Sequence, residues 1–386
     1  MAGHFVIEPA SSEAIVLAQT DEPFSSDDPL GMKRLFALMI KNRDNHTKDA
    51  TLIAKMISIG SGMALSRVSS IFAYLRYAIQ TGSSYSLSIK KLHTQYDLSN
   101  HFIHSTLDKL QCMYSAAIYD IVRSPSDGTI SFKGTLEEAQ MRKLALLAQR
   151  ARLTPGSQTA FLDVGGSWGG GLRFSIYVAK TLGCQVTVLV SSADEMTLAE
   201  KQVRASDLSR LVSVEMAKNI VEFANIAENQ HKFDRVLSYD LLHSSSYKTG
   251  SGVLRQYFGA LERVLAPNGM ILMEAITRAG RYYYSASNLL NVIFPPPQSY
   301  SPSLEILRTE ARTSSGLNVS SVDYIGVHYA QTAAHWRERG YKQGGVLDAV
   351  HLRAWNYYLS YCEAGFSSQT VDYLILVIER EITAHR

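Results

Sequence analysis

An apolar run, Phe161-Leu-Asp-Val, breaks directly into Gly165-Gly166-Ser167-Trp168-Gly169-Gly170-Gly171, and a helical pattern resumes at Leu172. No other feature restricts the fold as much. Glycines are required where a strand must turn tightly into a helix and let a ligand approach the backbone amides at the helix N-terminus. Asp163 lies just before the turn, where a carboxylate can fix the loop. The spacing Gly165-x-Ser167-x-Gly169 is more compact than the phosphate-cradling GxxxxGKS pattern, and no lysine follows it, which argues against a nucleotide triphosphatase. Trp168 either shields a ligand or belongs to the core.

From Thr154 onward strands and helices alternate, the signature of a mostly parallel sheet with helices on both faces. The strands are expected at Ala160–Val164, Val186–Val190, Leu211–Met216, Arg235–Ser238 and Met270–Ala275, with a last apolar strand at Tyr373–Ile378. Helices are expected at Leu172–Thr181, Asp194–Ala205, Gly252–Val264, Ala330–Arg339 and Val346–Glu363. Phe294-Pro-Pro-Pro reads as a loop across one end of the sheet. Ahead of this core, residues 1–29 read as a flexible arm. Residues 30–150 read as a helical region that closes with Leu136–Ala151 behind the turn Ser124-Pro-Ser-Asp-Gly-Thr. Residues 151–386 form the core, with a substrate-side insertion at about 277–365.

A net charge of +3 is spread thinly over 386 residues with no dense Lys/Arg cluster, so nucleic acid is not an expected partner. The chain is 46% hydrophobic, enough to bury a large core, which excludes a disordered chain. Cys112, Cys184 and Cys362 form no CxxC pair, so neither a metal site nor a disulfide framework is encoded, and the count suits a reducing cytoplasm. No apolar run reaches the roughly 18 residues of a membrane span, so no stable membrane insertion is expected. The 21 tyrosines gather late in the chain, where they line an aromatic pocket or fill an ordinary core.

Several segments occur together in one order: Gln95-Tyr-Asp-Leu-Ser-Asn-His-Phe, Met113-Tyr-Ser-Ala-Ala-Ile-Tyr, Thr135-Leu-Glu-Glu-Ala-Gln, Asp163-Val-Gly-Gly-Ser-Trp-Gly-Gly, Phe233-Asp-Arg-Val-Leu-Ser, Ile293-Phe-Pro and Asn356-Tyr-Tyr-Leu-Ser-Tyr-Cys. With them the chain resembles the cyclopropane-fatty-acid-synthase family of S-adenosylmethionine (SAM)-dependent methyltransferases across roughly residues 91–380. The resemblance implies an α/β Rossmann-like methyltransferase fold, a mostly parallel seven-stranded sheet with helices on both faces and an N-terminal helical region. It implies SAM as cofactor, no metal, and an apolar small-molecule substrate. SAM is then expected over Gly165, Ser167 and Gly169, beside Asp163. Tyr114 and Ser115 are expected at its methionine end, Glu195 at the ribose and Asn219 at the adenine. The N-terminal helices serve as a lid, a dimer interface or both, and a homodimer is allowed.

Departures from the family pattern redirect the chemistry. The resemblance implies a bound bicarbonate held by Cys, Glu, His and Tyr; here the first three positions carry Ala116, Leu242 and Glu274, and only Tyr358 persists, with Ile276 beside the site. A carboxylate repels bicarbonate, so cyclopropanation of a lipid double bond is not expected. At the ribose end Val190 stands beside Glu195, and Ile220 beside Asn219. Glu274, at the end of a central strand, is a candidate general base towards an amine, phenol or carbon acid; alternatively it pairs with Arg278 or Arg281. His243 and Tyr358 complete the catalytic candidates. Two functions follow: a methyltransferase acting on carbon, nitrogen or oxygen of an apolar secondary metabolite, or a cyclase that has discarded methyl transfer and keeps SAM structurally or not at all.

Overall fold

The structure is a computed structural model that describes residues 33, 37, 106–108, 113–126, 128, 130–156, 158–165, 171–239, 251–278, 302–342 and 349–380. The expected arm at 1–29, most of the N-terminal helical region, and Ser167, Gly169, Leu242, His243 and Arg281 lie outside the described residues.

Among the described residues seven strands form one sheet: β3 (Ala160–Val164), β4 (Gln185–Val190), β5 (Val212–Met216), β6 (Phe233–Tyr239), β7 (Leu265–Arg278), β8 (Leu317–Tyr324) and β9 (Val371–Arg380). Their order is β5-β4-β3-β6-β7-β9-β8. β3 to β7 are parallel, and β9 runs antiparallel between β7 and β8. The chain winds outward from β3 in both directions, so the crevice at the carboxyl ends of β3 and β6 is the switch point where such sheets bind ligands. Helices α2 (Gly171–Leu182), α3 (Ala193–Ala205), α4 (Ile220–Ala224) and α5 (Ser251–Val264) connect the parallel strands. Two separate cores flank the sheet. One holds Phe161, Phe174, Val186 and Trp336, the other Leu162, Val236, Phe258 and Ile271, as alternating side chains of buried strands require.

The expected strands and helices are present with ends moved by a few residues. β7 begins at Leu265 instead of Met270, because Leu265 already pairs with Phe233 before an irregularity carries the chain past Pro267-Asn268-Gly269. Several elements are additional, beginning with the short helix α4 between β5 and β6. β8 and helix α6 (Leu304–Ser315) fall inside the stretch read as an insertion, so that stretch contributes an edge strand to the sheet. β1 (Asp120–Arg123) and β2 (Ile130–Lys133) form an antiparallel hairpin in the stretch read as helical.

Helix α1 (Leu136–Arg150) opens with a capping box: Thr135 accepts from the Glu138 amide, and Glu138 accepts from the Thr135 amide at 2.8 Å. That start puts Leu136, Ala139, Gln140, Lys143, Leu144 and Leu147 on one buried face at helical spacing. Helices α7 (Gly326–Lys342) and α8 (Ala349–Ser367) pack into the same core as α1 and are tied together by the buried Arg337–Glu363 pair at 2.9 Å.

Candidate active site

Residues Met113–Tyr119 run as an irregular, largely buried segment that pairs with no strand among the described residues, so their polar backbone groups must be satisfied by other means. The Met113 amide donates to Asp108 Oδ2 at 2.7 Å, and Gln140 Nε2 donates to the Ser115 carbonyl at 2.9 Å. The Ala117 amide donates to Thr332 Oγ1 at 3.0 Å, the Ile118 amide to the Ala139 carbonyl at 3.0 Å, and the Tyr119 amide to His328 Nδ1 at 3.1 Å. Burial lowers the His328 pKa to about 4, so its imidazole is neutral and can accept that bond. His328 is therefore an anchor for the backbone. The segment is strung between α1 and α7 by one bond after another, which fixes Tyr114 and Ser115.

Glu274 projects from β7 level with Tyr239, the last residue of β6. Among the described residues its ion-pair partner is not Arg278 but Lys143 of α1: Nζ donates to Glu274 Oε2 at 2.7 Å, with both side chains fully buried. The Tyr373 hydroxyl donates to the same oxygen at 2.8 Å. The Lys143 ammonium also donates to Ser115 Oγ, and it sits 5.2 Å from the Tyr239 ring centroid and 5.7 Å from that of Tyr373. Among the described residues Glu274 Oε1 is buried and has no hydrogen-bond partner.

Next to this cluster the Tyr114 and Tyr358 hydroxyls share a hydrogen bond at 3.1 Å. Burial holds the Tyr358 phenol well above its ordinary pKa, so it acts as a neutral hydroxyl. Tyr114 stacks on Trp336 at 4.9 Å, and Tyr329 meets Trp336, Tyr373 and Phe366 at 6.0, 5.2 and 4.5 Å. The structure thus brings Tyr114, Ser115, Glu274 and Tyr358 together.

The remaining expected residues that the structure describes, Asp163, Gly165, Glu195 and Asn219, lie at or just after the carboxyl ends of β3, β4 and β5. Gly165 ends β3 with φ +95°, a conformation that a side chain makes costly. Asp163 is fully buried and accepts from Ser175 Oγ at 2.6 Å; burial pushes its carboxyl up to about 7. Glu195, in the first turn of α3 after β4, accepts from the Ser191 amide and hydroxyl, each at 2.8 Å. Asn219 caps α4 after β5 by accepting from the Glu222 amide at 3.0 Å. Both half-buried groups carry local structural bonds. Val190 and Ile220 are buried beside them.

Lys143 and Tyr373 escaped the reading of the sequence. The signal for Lys143 was present: it shares the buried face of α1 with six apolar or amide side chains at helical spacing. Tyr373 looked like one more apolar residue of a terminal strand.

A Rossmann-like sheet with one antiparallel strand, a positive-φ glycine after its first core strand and a buried polar cluster at its carboxyl edge defines a methyltransferase-fold enzyme. The chain belongs to the mycolic acid cyclopropane synthetase family, whose sequence profile matches residues 84–375. It is 26% identical over 301 residues to the tuberculostearic acid methyltransferase UfaA1 of Mycobacterium tuberculosis, covering 76% of this chain and 65% of that protein. The chain therefore spans just under two thirds of that relative's length. The fold matches coclaurine N-methyltransferase, solved with N-methylheliamine and S-adenosylhomocysteine (SAH), at TM-score 0.60 and 17% identity, covering 92% of this chain and 96% of that one. It also matches the [4+2]-cyclase SpnF at TM-score 0.53 and 18% identity, covering 75% and 95%. Among the described residues no helix is long and apolar enough to cross a membrane, and no group of three or more His, Cys, Asp or Glu could hold a metal ion.

Proposed function

We propose that the chain is a SAM-dependent methyltransferase whose acceptor is an apolar small molecule carrying a nucleophilic N–H or O–H group. The observation that carries this reading is the lone buried oxygen of Glu274. Oε2 is occupied by Lys143 and Tyr373, while Oε1 lacks a partner among the described residues. A buried carboxylate oxygen calls for a donor. An amine or hydroxyl supplies one, whereas a hydrocarbon double bond does not. Ala116, fully buried, and Glu274 stand where the family resemblance implies Cys and His, which supports a chemistry other than cyclopropanation.

The residues fit SAM: Gly165 turns the chain at positive φ directly after β3, and the polar side chains of Glu195 and Asn219 follow the ends of β4 and β5. We assign Tyr114 and Ser115 to its methionine end, Asp163, Gly165, Ser167 and Gly169 to the loop beneath it, Glu195 to the ribose and Asn219 to the adenine. When bound, SAM supplies an electrophilic methyl group on a sulfonium. Glu274 Oε1 orients the acceptor and takes the proton that its nitrogen or oxygen releases as the new bond to carbon forms. The Tyr114–Tyr358 pair positions the acceptor, the Trp336–Tyr329 wall excludes water, and His243 is the further proton carrier. Residues 30–150 form a lid and the stretch at about 277–365 the substrate side. A panel of apolar amines, phenols and unsaturated fatty acids, incubated with methyl-labelled SAM, tests the reading. Label should appear in amines or phenols, and Glu274→Gln should lower turnover by ~10²–10⁴-fold. Label confined to fatty acids would refute it.

The second reading, a cyclase, is favoured by one observation: the carboxylate at the site is already neutralised by Lys143, and the groups around it are tyrosine hydroxyls and rings that orient without transferring charge. Turnover of an acceptor without any SAM would decide for it.

A further inference from the structure

The two halves of the proposed site sit on different elements. The cofactor-side segment, Tyr114–Ser115, belongs to the irregular stretch before the hairpin, and Glu274 belongs to β7. One group bridges them. We propose that Lys143 is a positioning residue that couples the cofactor site to the Glu274 carboxylate; this rests on the methyltransferase reading above.

Lys143 has no exposed surface, so every interaction of its ammonium is made inside the protein. Two of its donors are fixed in direction, one on Ser115 Oγ and one on Glu274 Oε2, and the aromatic faces of Tyr239 and Tyr373 lie against the remaining charge. An ammonium held in that way cannot move towards one partner without lengthening its bond to the other. Both attachments are themselves held. Ser115 is fixed through its carbonyl by Gln140, one turn before Lys143 on the same helix face, and Glu274 Oε2 is fixed by the Tyr373 hydroxyl. Tyr373 is anchored in turn, because its amide and that of Gly326 both donate to Asp372 Oδ1 at 2.8 Å. The bridge therefore runs from β9 and β7 through α1 to the segment expected to meet the methionine end of the cofactor. A ligand that shifts Ser115 shifts the hydrogen bond that orients Glu274 Oε2, and with it Oε1, the oxygen offered to the acceptor. Changing the carboxylate must likewise change what the cofactor site feels, since coupling between sites is reciprocal.

The test is a double-mutant cycle on the affinity for SAH, measured by calorimetric titration of the full chain, with melting temperature recorded for each variant. Glu274→Gln should weaken SAH binding about fivefold or more when Lys143 is present, and less than twofold in the Lys143→Met background. Adding Glu274→Gln to Lys143→Met should raise the melting temperature, because a lone buried carboxylate is removed, without restoring SAH affinity. A merely structural lysine would instead give additive effects, with affinity recovering together with stability. Should Lys143→Met fail to fold, the Ser115→Ala and Glu274→Gln cycle decides, since Ser115→Ala cuts only the cofactor side of the bridge and should abolish the effect of Glu274→Gln. Equal effects of Glu274→Gln in both backgrounds, or no effect in either, overturn the proposal. If the unaltered protein does not bind SAH at all, the methyltransferase reading itself fails.

Discussion

Replacing Lys143 with methionine removes the cation from a pair whose side chains are both fully buried. The carboxylate then keeps one hydrogen bond on Oε2, from Tyr373, while Oε1 still has no partner among the described residues. Truncating one member of a buried ion pair typically costs ~3–5 kcal/mol, because the survivor is desolvated and uncompensated. The favourable contacts of the ammonium with the Tyr239 and Tyr373 rings, worth about 0.5–2 kcal/mol, are lost as well. A methionine of similar length refills most of the space, so the cavity penalty is small. The expected loss is about 4 kcal/mol, seen as a melting temperature lower by roughly 8 °C at about 2 °C per kcal/mol for a body of this size. Urea unfolding at pH 7.5, followed by circular dichroism, gives the free energy directly. The Lys143→Met/Glu274→Gln double variant should regain at least half of the loss, since the amide carries no charge. A loss below about 1 kcal/mol for the single variant, or a double variant no more stable than the single, would refute the view that the pair is desolvated and mutually compensated.

Asp163 predicts a pH effect of definite sign. Its carboxyl is pushed from an ordinary 3.8 up to about 7 by burial, so between those values the folded chain holds a proton that the unfolded chain has lost. Stability attached to this group is full below about pH 4 and declines until pH 7, by ~1.4 kcal/mol per unit, and is flat above. Asp163→Asn does not titrate, so its melting temperature should gain on that of the unaltered protein between pH 5 and pH 7.5; a difference constant with pH would count against a buried carboxyl there. Gly165→Val puts a branched side chain at φ +95° and should cost at least ~1–2 kcal/mol, with SAH affinity down more than tenfold; retained affinity would remove the Gly165 turn from the cofactor site. Gly326→Ala drives a methyl group into Asp372 Oδ1, to which the Gly326 amide also donates, and should cost ~1–3 kcal/mol by thermal denaturation.

What could be read from the sequence follows the physics of each element. β3, β4 and β6 are continuous apolar runs because both faces of a central parallel strand are buried, and such runs are visible without a structure. β8 was missed because Leu-Asn-Val-Ser-Ser-Val-Asp-Tyr is the polar, alternating sequence of an edge strand whose one partner is β9. The hairpin was missed because Asp120–Arg123 and Ile130–Lys133 are short and largely exposed, so only their turn carried a signal. At the site, glycines and a strand-end carboxylate announce themselves by residue type. The partner of Glu274 does not, since Lys143 is 131 positions away and is selected by how α1 packs against β7. A lysine in register with the apolar face of an amphipathic helix was the one local sign that a buried anion awaited it.

The central claim is that the carboxyl edge of this sheet holds SAM for methyl transfer, and calorimetric titration of the purified chain with SAM and with SAH tests it most directly. The account predicts micromolar binding of both, about −8 kcal/mol each. Binding of the sulfonium form alone would transfer the site to a cyclase that uses the positive charge, and binding of neither would contradict the account.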